Sequence, residues 1–460
     1  MVASSPTAGN SEDKWHEIIL RRELIIQATT TIELADKLEH AEQYPNDTPP
    51  KLCILFKKTI ESILSCLDKI PAEYLQLINV ILCQIAEYLR FVDRSRVTQT
   101  PWSMIQAAEA FLKNRVGNEF HFIIRPQWAF NYGVQGEFVD FCKRTIKSLP
   151  AIPFDKWYES LDEGIRNSKI YCISFPRIQR LNCLYHSNWG HEVGHIIVSR
   201  WLEHEFENIW TKEEDNIKEA IEKKVRENPP PVDTLFKEIL IEQVVADKTS
   251  KAMEAARRGL EELLCDHIGV HLMGPAALAS ACEFSARYLL DESPLKRGFY
   301  PPWRYRLRLM LDACGSDLDI SADYPGSYLS DYVSWLKELN SITSNTADKD
   351  IIDQNVETKE VYKIIQDNWN TWRENILKSL PPDFSKPYRM RDRLVPLNDL
   401  VEKLMRDIPP NEIGIWPMTS PAILQDILNA GWAYKMKQLA TMSGWSTPVN
   451  HGKLFRLLLK

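Results

Sequence analysis

Two of the ten histidines stand four residues apart with a glutamate between them: His191-Glu192-Val193-Gly194-His195, inside the run WGHEVGHIIVSRWL from Trp189 to Leu202. On a helix, positions i and i+4 share a face. Two imidazoles so placed can hold one metal ion. The glutamate between them then stays beside the open coordination position, where it can act as general base toward a bound water. The alternative is a pair of helix histidines satisfied by ordinary hydrogen bonds. Ile196, Ile197, Val198, Trp201 and Leu202 follow, the composition of a buried helix. Polar groups set against a core are costly without partners, which favours the metal reading. Gly194 leaves space beside both imidazoles.

Two histidines leave a catalytic zinc one protein ligand short, because such sites carry three and a water. A helix expected over 260–272 offers the third. Glu262, Asp266 and Gly269 fall at i, i+4 and i+7 on one face. Glu262 is the expected third ligand. Asp266 can accept the second ring N–H of a ligating histidine and fix its tautomer. Gly269 lets two helices approach closely. The other reading is a solvated acidic helix start. Asp266, however, lies among Leu263, Leu264, Ile268 and Leu272, and a carboxylate so flanked needs a partner. The expected cofactor is one Zn2+ per chain, on His191, His195 and Glu262.

H-E-x-x-H followed by E-x-x-x-D on a later helix resembles the pattern of the gluzincin metallopeptidases, the thermolysin-like clan. The sequence continues as GVHLMGPAALASACEF, which is similar to the small-residue continuation in the HtpX and CaaX-prenyl-protease type. That family then carries a His-Pro motif and an Arg. Here Tyr300-Pro301-Pro302 and Arg306-Leu307 stand at similar spacing, with Tyr300 in the place of the histidine. The resemblance covers about residues 168–310 and implies a zincin-like fold and peptide-bond hydrolysis. It departs in two ways. The family is membrane-embedded, whereas this chain shows no apolar run of 18 residues. The 66 residues between His195 and Glu262 also exceed a minimal core.

In that chemistry Glu192 takes the water's proton and passes it to the leaving amine. The developing oxyanion needs a donor. Tyr300 is one candidate, its alternative being a packed aromatic beside a Pro-Pro turn. Arg306 is a second, its alternative being a pair with an acidic residue of the site. The strand expected at 169–175 offers an edge to an extended peptide. His267 and His271 are also at i, i+4 but lack the intervening glutamate, and surface or packing roles are expected. Packing is likewise expected of His186, a solvated position of His204, and core positions of Trp128, Tyr132 and Trp189.

The elements that must position these residues are mostly helical. A tail, 1–14, is expected to be disordered. A helical bundle follows over 15–118, with helices at 15–45, 51–69, 72–95 and about 102–115, broken by Pro45, Pro71 and Pro101. FHFIIRPQWAFNY (120–132) and SKIYCISFPRI (168–178) read as strands leading toward the metal helix. The expected catalytic domain is 119–320, with 203–258 an inserted helical hairpin around Pro229-Pro230-Pro231. Gly259 is a possible break, and Gly274-Pro275 ends one helix and starts the next. A C-terminal helical region fills 321–460, with loops at SITSNTADKD, PPDFSKP, IPPNEIG and around Pro417–Pro421. The fold class is therefore mainly α, with a small sheet in an α+β catalytic domain flanked by helical regions.

Composition narrows the setting. With 44 % apolar residues the chain is globular, and a formal charge of −7 offers no nucleic-acid footprint. No membrane span and no signal peptide are expected. The nine cysteines form no C-x-x-C pair, and Cys53, Cys66 and Cys83 lie in apolar context, so reduced core thiols in a cytoplasmic protein are expected. The expected partner is a protein or peptide substrate, with a regulatory protein partner or a homo-oligomer as further possibilities. A catalytically silent binding or regulatory protein on a metallopeptidase scaffold is the alternative; the intact Glu192 favours the enzyme.

Overall fold

Helical periodicity dominates the chain, and the structure, a computed structural model, is mainly helical with two small sheets. It describes residues 11–99, 105, 109–111, 119–180, 182–231, 236–286, 290, 300–320, 328–344, 356–380, 386–415 and 418–442. The expected helix at 102–115 and several of the expected loops lie largely outside these. The chain divides into two compact units, Met1–Leu181 and Asn182–Lys460. The sheet therefore belongs to one unit and the H-E-x-x-H helix to the other, whereas the sequence grouped both in 119–320.

In the first unit, α1 (Ser11–Glu39) begins inside the stretch expected as a tail. It packs on α2 (Thr48–Cys66) and α3 (Leu75–Arg94). Among the described residues one helical stretch, Ala72–Arg94, is long and apolar enough to cross a membrane, with a mean hydropathy of 1.4. Its apolar residues have another use: Ile78, Ile81, Leu82, Ile85 and Leu89 line the core of this unit. No clear membrane span follows from it.

Strands β1 (Phe120–Gln127), β2 (Gly133–Gln135) and β3 (Lys169–Pro176) form a sheet of order β1-β3-β2. Helices α4 (Phe138–Ser148), α5 (Phe154–Ser160) and α6 (Glu163–Arg166) come between β2 and β3. β1 and β3 are parallel and buried almost throughout, which is why both read as apolar runs rather than as alternations. β3 is the central strand: β1 pairs along its whole length and β2 along Cys172–Ser174. That corrects the expectation that 169–175 presents a free edge. Trp128 is a second correction: it is 73 % exposed, beneath the Arg177 guanidinium, while Tyr132 is buried. Cys83 is exposed as well, though all nine cysteines are free thiols.

The second unit is built on two long antiparallel helices, α7 (Trp189–Glu227) and α8 (Lys237–Met273). Over 203–258 the two helical arms expected of the hairpin are present, and they are continuous with the two motif-bearing helices. α7 continues past Trp201 because the charged segment still carries an apolar stripe, Trp210, Ile217, Ile221 and Val225, all buried. It stops just before Pro229-Pro230-Pro231. α8 runs through Gly259 unbroken. Its buried stripe is Ile241, Val245, Thr249, Ala252 and Ala256, which leaves Ile239 exposed. Gly274, at φ +66°, ends α8, and Pro275 opens α9 (Pro275–Ser285).

α10 (Trp303–Cys314), α11 (Ser330–Ser344), α12 (Val356–Ser379), α13 (Leu394–Met405) and α14 (Leu424–Met442) complete the unit, with a hairpin of β4 (Glu412–Ile413) and β5 (Ser420–Pro421). α14 locks the turn after α8. Asn429 accepts from the Ala276 N–H and donates to the Met273 carbonyl, so one side chain ties the end of α8 to the start of α9.

Candidate metal centre

The crossing of α7 and α8 brings the chemistry together, and it is set by glycine. A Cβ added to Gly194 would stand 2.8 Å from the Cys265 Cα, and one on Gly269 would stand 3.1 Å from the His191 backbone nitrogen. The two backbones are in contact at this point. His191 and His195 project one residue further round α7 and therefore meet the Glu262–Asp266 face of α8. With side chains at 16 % and 18 % exposure the rings remain reachable from solvent.

Each ring turns Nδ1 toward a carboxylate. His191 Nδ1 lies 2.9 Å from Asp266 Oδ1, and His195 Nδ1 lies 3.0 Å from Glu261 Oε1. Their Nε2 atoms are 3.2 Å apart, and Glu262 stands 3.5 Å from one and 3.7 Å from the other. If both rings donate Nδ1–H to their carboxylates, both Nε2 atoms present lone pairs to each other and to Glu262. Three acceptors and no donor then converge on one point, an arrangement that calls for a cation. Two nitrogens at about 2.0–2.1 Å from a tetrahedral zinc stand about 3.3–3.4 Å apart, so the pair fits that ion. His191, His195 and Glu262 form one of two groups among the described residues whose ligand atoms all lie within 4.8 Å of one another. The other, Asp36, Glu39 and His40, is largely exposed and already engaged: Lys57 Nζ binds both of its carboxylates.

The electrostatics point the same way. Burial works against a charge on His195. Cys265 and the carboxylates of Glu261 and Glu262 nonetheless hold its pKa well above the ordinary value. Burial also pushes Asp266 toward protonation, but Arg306 and His191 outweigh it and keep the carboxylate ionised. Glu192 is buried, with one oxygen, Oε2, lacking any hydrogen-bond partner. Burial and then the nearby Glu262 raise its pKa, against the pull of the two histidines and Arg306. A carboxyl raised in this way takes up a proton more readily than an exposed one.

Tyr300 is half-buried. Its pKa is raised chiefly by burial and then by Glu262, and it also feels Arg306 and His195, which places the phenol at the centre's margin. Arg306 takes the pairing role. It is buried, donating to Asp266 from Nε at 2.7 Å and from Nη2 at 2.9 Å, with Nη2 also 3.0 Å from Glu262. Its planar face lies over Trp303. With Nε and Nη2 committed to two carboxylates, Arg306 takes the expected alternative, a pair with acidic residues of the site, and holds Glu262 and Asp266 in place.

His267 and His271 are buried, not on the surface, and His267 packs edge-on against Trp369. His186 is buried and stacked on Trp189 at 4.7 Å. His204 is exposed. Sequence reasoning missed Glu261 and Ser199. Ser199, one turn beyond His195, donates to the same Glu261 oxygen at 3.0 Å. The only available signal was the acidic pair Glu261-Glu262, and spacing along one helix does not divide roles between neighbours.

Compared with known proteins, the chain matches no protein-family model, no curated protein and no solved structure.

Proposed function

We propose that this chain is a zinc-dependent peptidase of the gluzincin type, with a zincin-like helical core. The observation that carries the reading is the convergence of His191 Nε2, His195 Nε2 and a Glu262 oxygen beside a buried Glu192 whose Oε2 lacks a hydrogen-bond partner. A zinc ion on these three ligands lowers the pKa of a water and polarises a peptide carbonyl. Glu192 accepts the proton of the attacking water and delivers it to the departing amine nitrogen. Burial raises its pKa and so makes it a stronger base for the first task than an exposed carboxylate. Asp266 and Glu261 hold the two imidazoles in the tautomer that leaves Nε2 free to ligate. The Tyr300 phenol, half-buried at the margin, is the donor for the oxyanion of the tetrahedral intermediate.

The test is metal content and hydrolysis in parallel. Wild type should carry about one zinc per chain and cleave members of a quenched-fluorescent peptide library. Glu192→Gln should keep the zinc and lose about two to four orders of magnitude in kcat. Glu262→Ala should lose both. Zinc-free wild type, or hydrolysis that persists in Glu192→Gln, would overturn the proposal.

A further inference from the structure

We infer that Arg258 is a substrate-recognition residue whose guanidinium takes a carboxylate of the peptide bound at the metal centre. The inference rests on the peptidase reading and adds to it a substrate class.

Position comes first. Arg258 precedes Glu262 by four residues and Glu261 by three, inside the continuous helix α8. It therefore lies one turn, about 5.4 Å, from the metal-ligand position on the same helix face. That is the face turned toward His191 and His195. Unlike Glu261, Glu262 and Asp266, whose side chains face the α7 crossing, Arg258 is exposed.

The second point is the fate of the charges. Asp266 is bound by His191 and Arg306, Glu262 by Arg306, and Glu261 by His195 and Ser199. Arg306 is buried against two carboxylates. The neighbouring Arg257 lies over the Phe206 ring on α7. Arg257 and Arg258 both lack a hydrogen bond or ion pair among the described residues; Arg257 has its ring contact, whereas Arg258 has none, although Glu254 stands four residues before it, the spacing for a helix ion pair. Its charge still reaches the centre, where both the Glu261 carboxylate and the Tyr300 phenol feel it.

An uncommitted guanidinium beside a metal that binds a scissile carbonyl is placed for an anion on the same peptide. The anion a peptide carries is a carboxylate, and the guanidinium fork matches it with two parallel N–H donors. Two sources share that chemistry: the terminal carboxylate of the chain and the side chain of an Asp or Glu near the scissile bond. The first makes the enzyme a carboxypeptidase in practice, the second an endopeptidase selective for acidic sequences.

The experiment uses the full-length, zinc-loaded protein and four peptides of one sequence. They carry Glu or Gln beside the scissile bond, each with a free or an amidated C-terminus. Hydrolysis is measured with wild type, and binding by fluorescence anisotropy with zinc-loaded Glu192→Gln, which needs no turnover. A carboxylate-bearing peptide should bind about tenfold more tightly than its neutral counterpart, the scale of an exposed charge-assisted contact. In Arg258→Ala that ratio should collapse to about one, and in Arg258→Glu it should invert in favour of a Lys-containing peptide. Whether Glu-for-Gln or acid-for-amide carries the ratio identifies the source. Equal binding of charged and neutral peptides, or a ratio that survives Arg258→Ala, overturns the inference. If no peptide is hydrolysed, the peptidase reading falls, while the binding ratio still decides the role of Arg258. If no peptide binds at all, both fall.

Discussion

His195 presents its Nδ1 to Glu261 at 3.0 Å, and Glu261 is the residue directly before the ligand Glu262 on the same helix. Two adjacent carboxylates on α8 thus meet one imidazole at its two nitrogens, Glu261 at Nδ1 and Glu262 3.7 Å from Nε2, where the proposed metal would bind. Outer partners of ligating histidines typically change metal affinity by about 10- to 100-fold. Glu261→Ala should weaken zinc binding by that order, measured by chelator competition. Glu261→Gln, which keeps an acceptor but not the charge, should lose less, and Ser199→Ala less again. An affinity unmoved in Glu261→Ala would mean that the contact does not orient His195.

Arg306 and Asp266 are both buried and joined by two hydrogen bonds. Removing one partner of such a pair strands the other charge in a poor solvent, at a cost of about 3–5 kcal/mol. Arg306→Met should therefore lower the urea midpoint of the unit that carries the motif by that order. It should also weaken zinc binding, because Glu262 loses its second partner. Restoring the balance by removing both charges, as Asp266→Leu with Arg306→Met, should recover much of the stability but not the metal affinity, since His191 then lacks its acceptor. A double variant no more stable than Arg306→Met would show that burial of the lone carboxylate is not what the single substitution exposes.

Much of this site was legible in the sequence because it is written in helix periodicity. His191 and His195, and Glu262 and Asp266, are each i, i+4 pairs, and each pair shares a face regardless of the rest of the fold. Strands β1 and β3 were equally visible as apolar runs. What spacing does not carry is the meeting of separate elements. The Glu261 contact with His195 spans 66 residues, and that of Arg306 with Asp266 spans 40. Both depend on how α7, α8 and α10 pack. The arms of the 203–258 hairpin are legible as helices, but their continuity with the motif helices is not, because the charged stretch keeps only a narrow buried stripe, Ile217, Ile221 and Val225. The edge role of β3 was misjudged because a three-residue strand such as β2 has no periodicity to read.

The glycine contact between α7 and α8 makes a prediction of opposite sign to helix propensity. Alanine is preferred to glycine in a helix by about 1 kcal/mol. At Gly194, however, the added methyl would meet the Cys265 Cα at 2.8 Å and its carbonyl oxygen at 3.1 Å, both backbone atoms that cannot turn aside. Overpacking of this kind costs about 1–3 kcal/mol. Gly194→Ala should lower the urea midpoint and, by parting the helices, weaken zinc binding as well. Gly190→Ala should do somewhat less: its methyl would meet Met273 Cγ at 3.0 Å, a side chain that can move, and the Gly269 Cα and carbonyl oxygen at 3.1 Å, short of the 2.8 Å backbone clash at Gly194. Equal or greater harm at Gly190 would place the tight point of the crossing elsewhere.

Three buried histidines lie outside the proposed metal site, His186, His267 and His271, and two of them bear on the response to acid. Burial lowers the pKa of His186 from 6.5 to about 3. Burial, aided by His271, Arg373 and Arg389, does the same for His267. The folded protein therefore keeps both rings neutral in a range where the unfolded chain protonates them. Stability is fully present above about pH 6.5 and is lost as pH falls from there toward 3, at about 1.4 kcal/mol per histidine for each pH unit. Carboxylates such as Asp266, whose pKa is depressed in the folded state, also lose their contribution in acid, but only as pH approaches the ordinary carboxylate value near 4. Between pH 6.5 and 5 the raised carboxyls of Glu192 and Asp317 and the raised His195 act with the opposite sign to His186 and His267, so the part due to a lowered histidine is read as a difference between wild type and a variant lacking it. Urea midpoints across that window measure both slopes. His267→Gln, which removes one titrating ring and keeps a polar group of similar reach, should have a slope shallower than wild type by up to about 1.4 kcal/mol per pH unit, whatever stability it loses at pH 7.5. A slope identical to that of wild type would mean that His267 is protonated within the fold, and its place against Trp369 would then have to be that of an imidazolium resting on an aromatic edge.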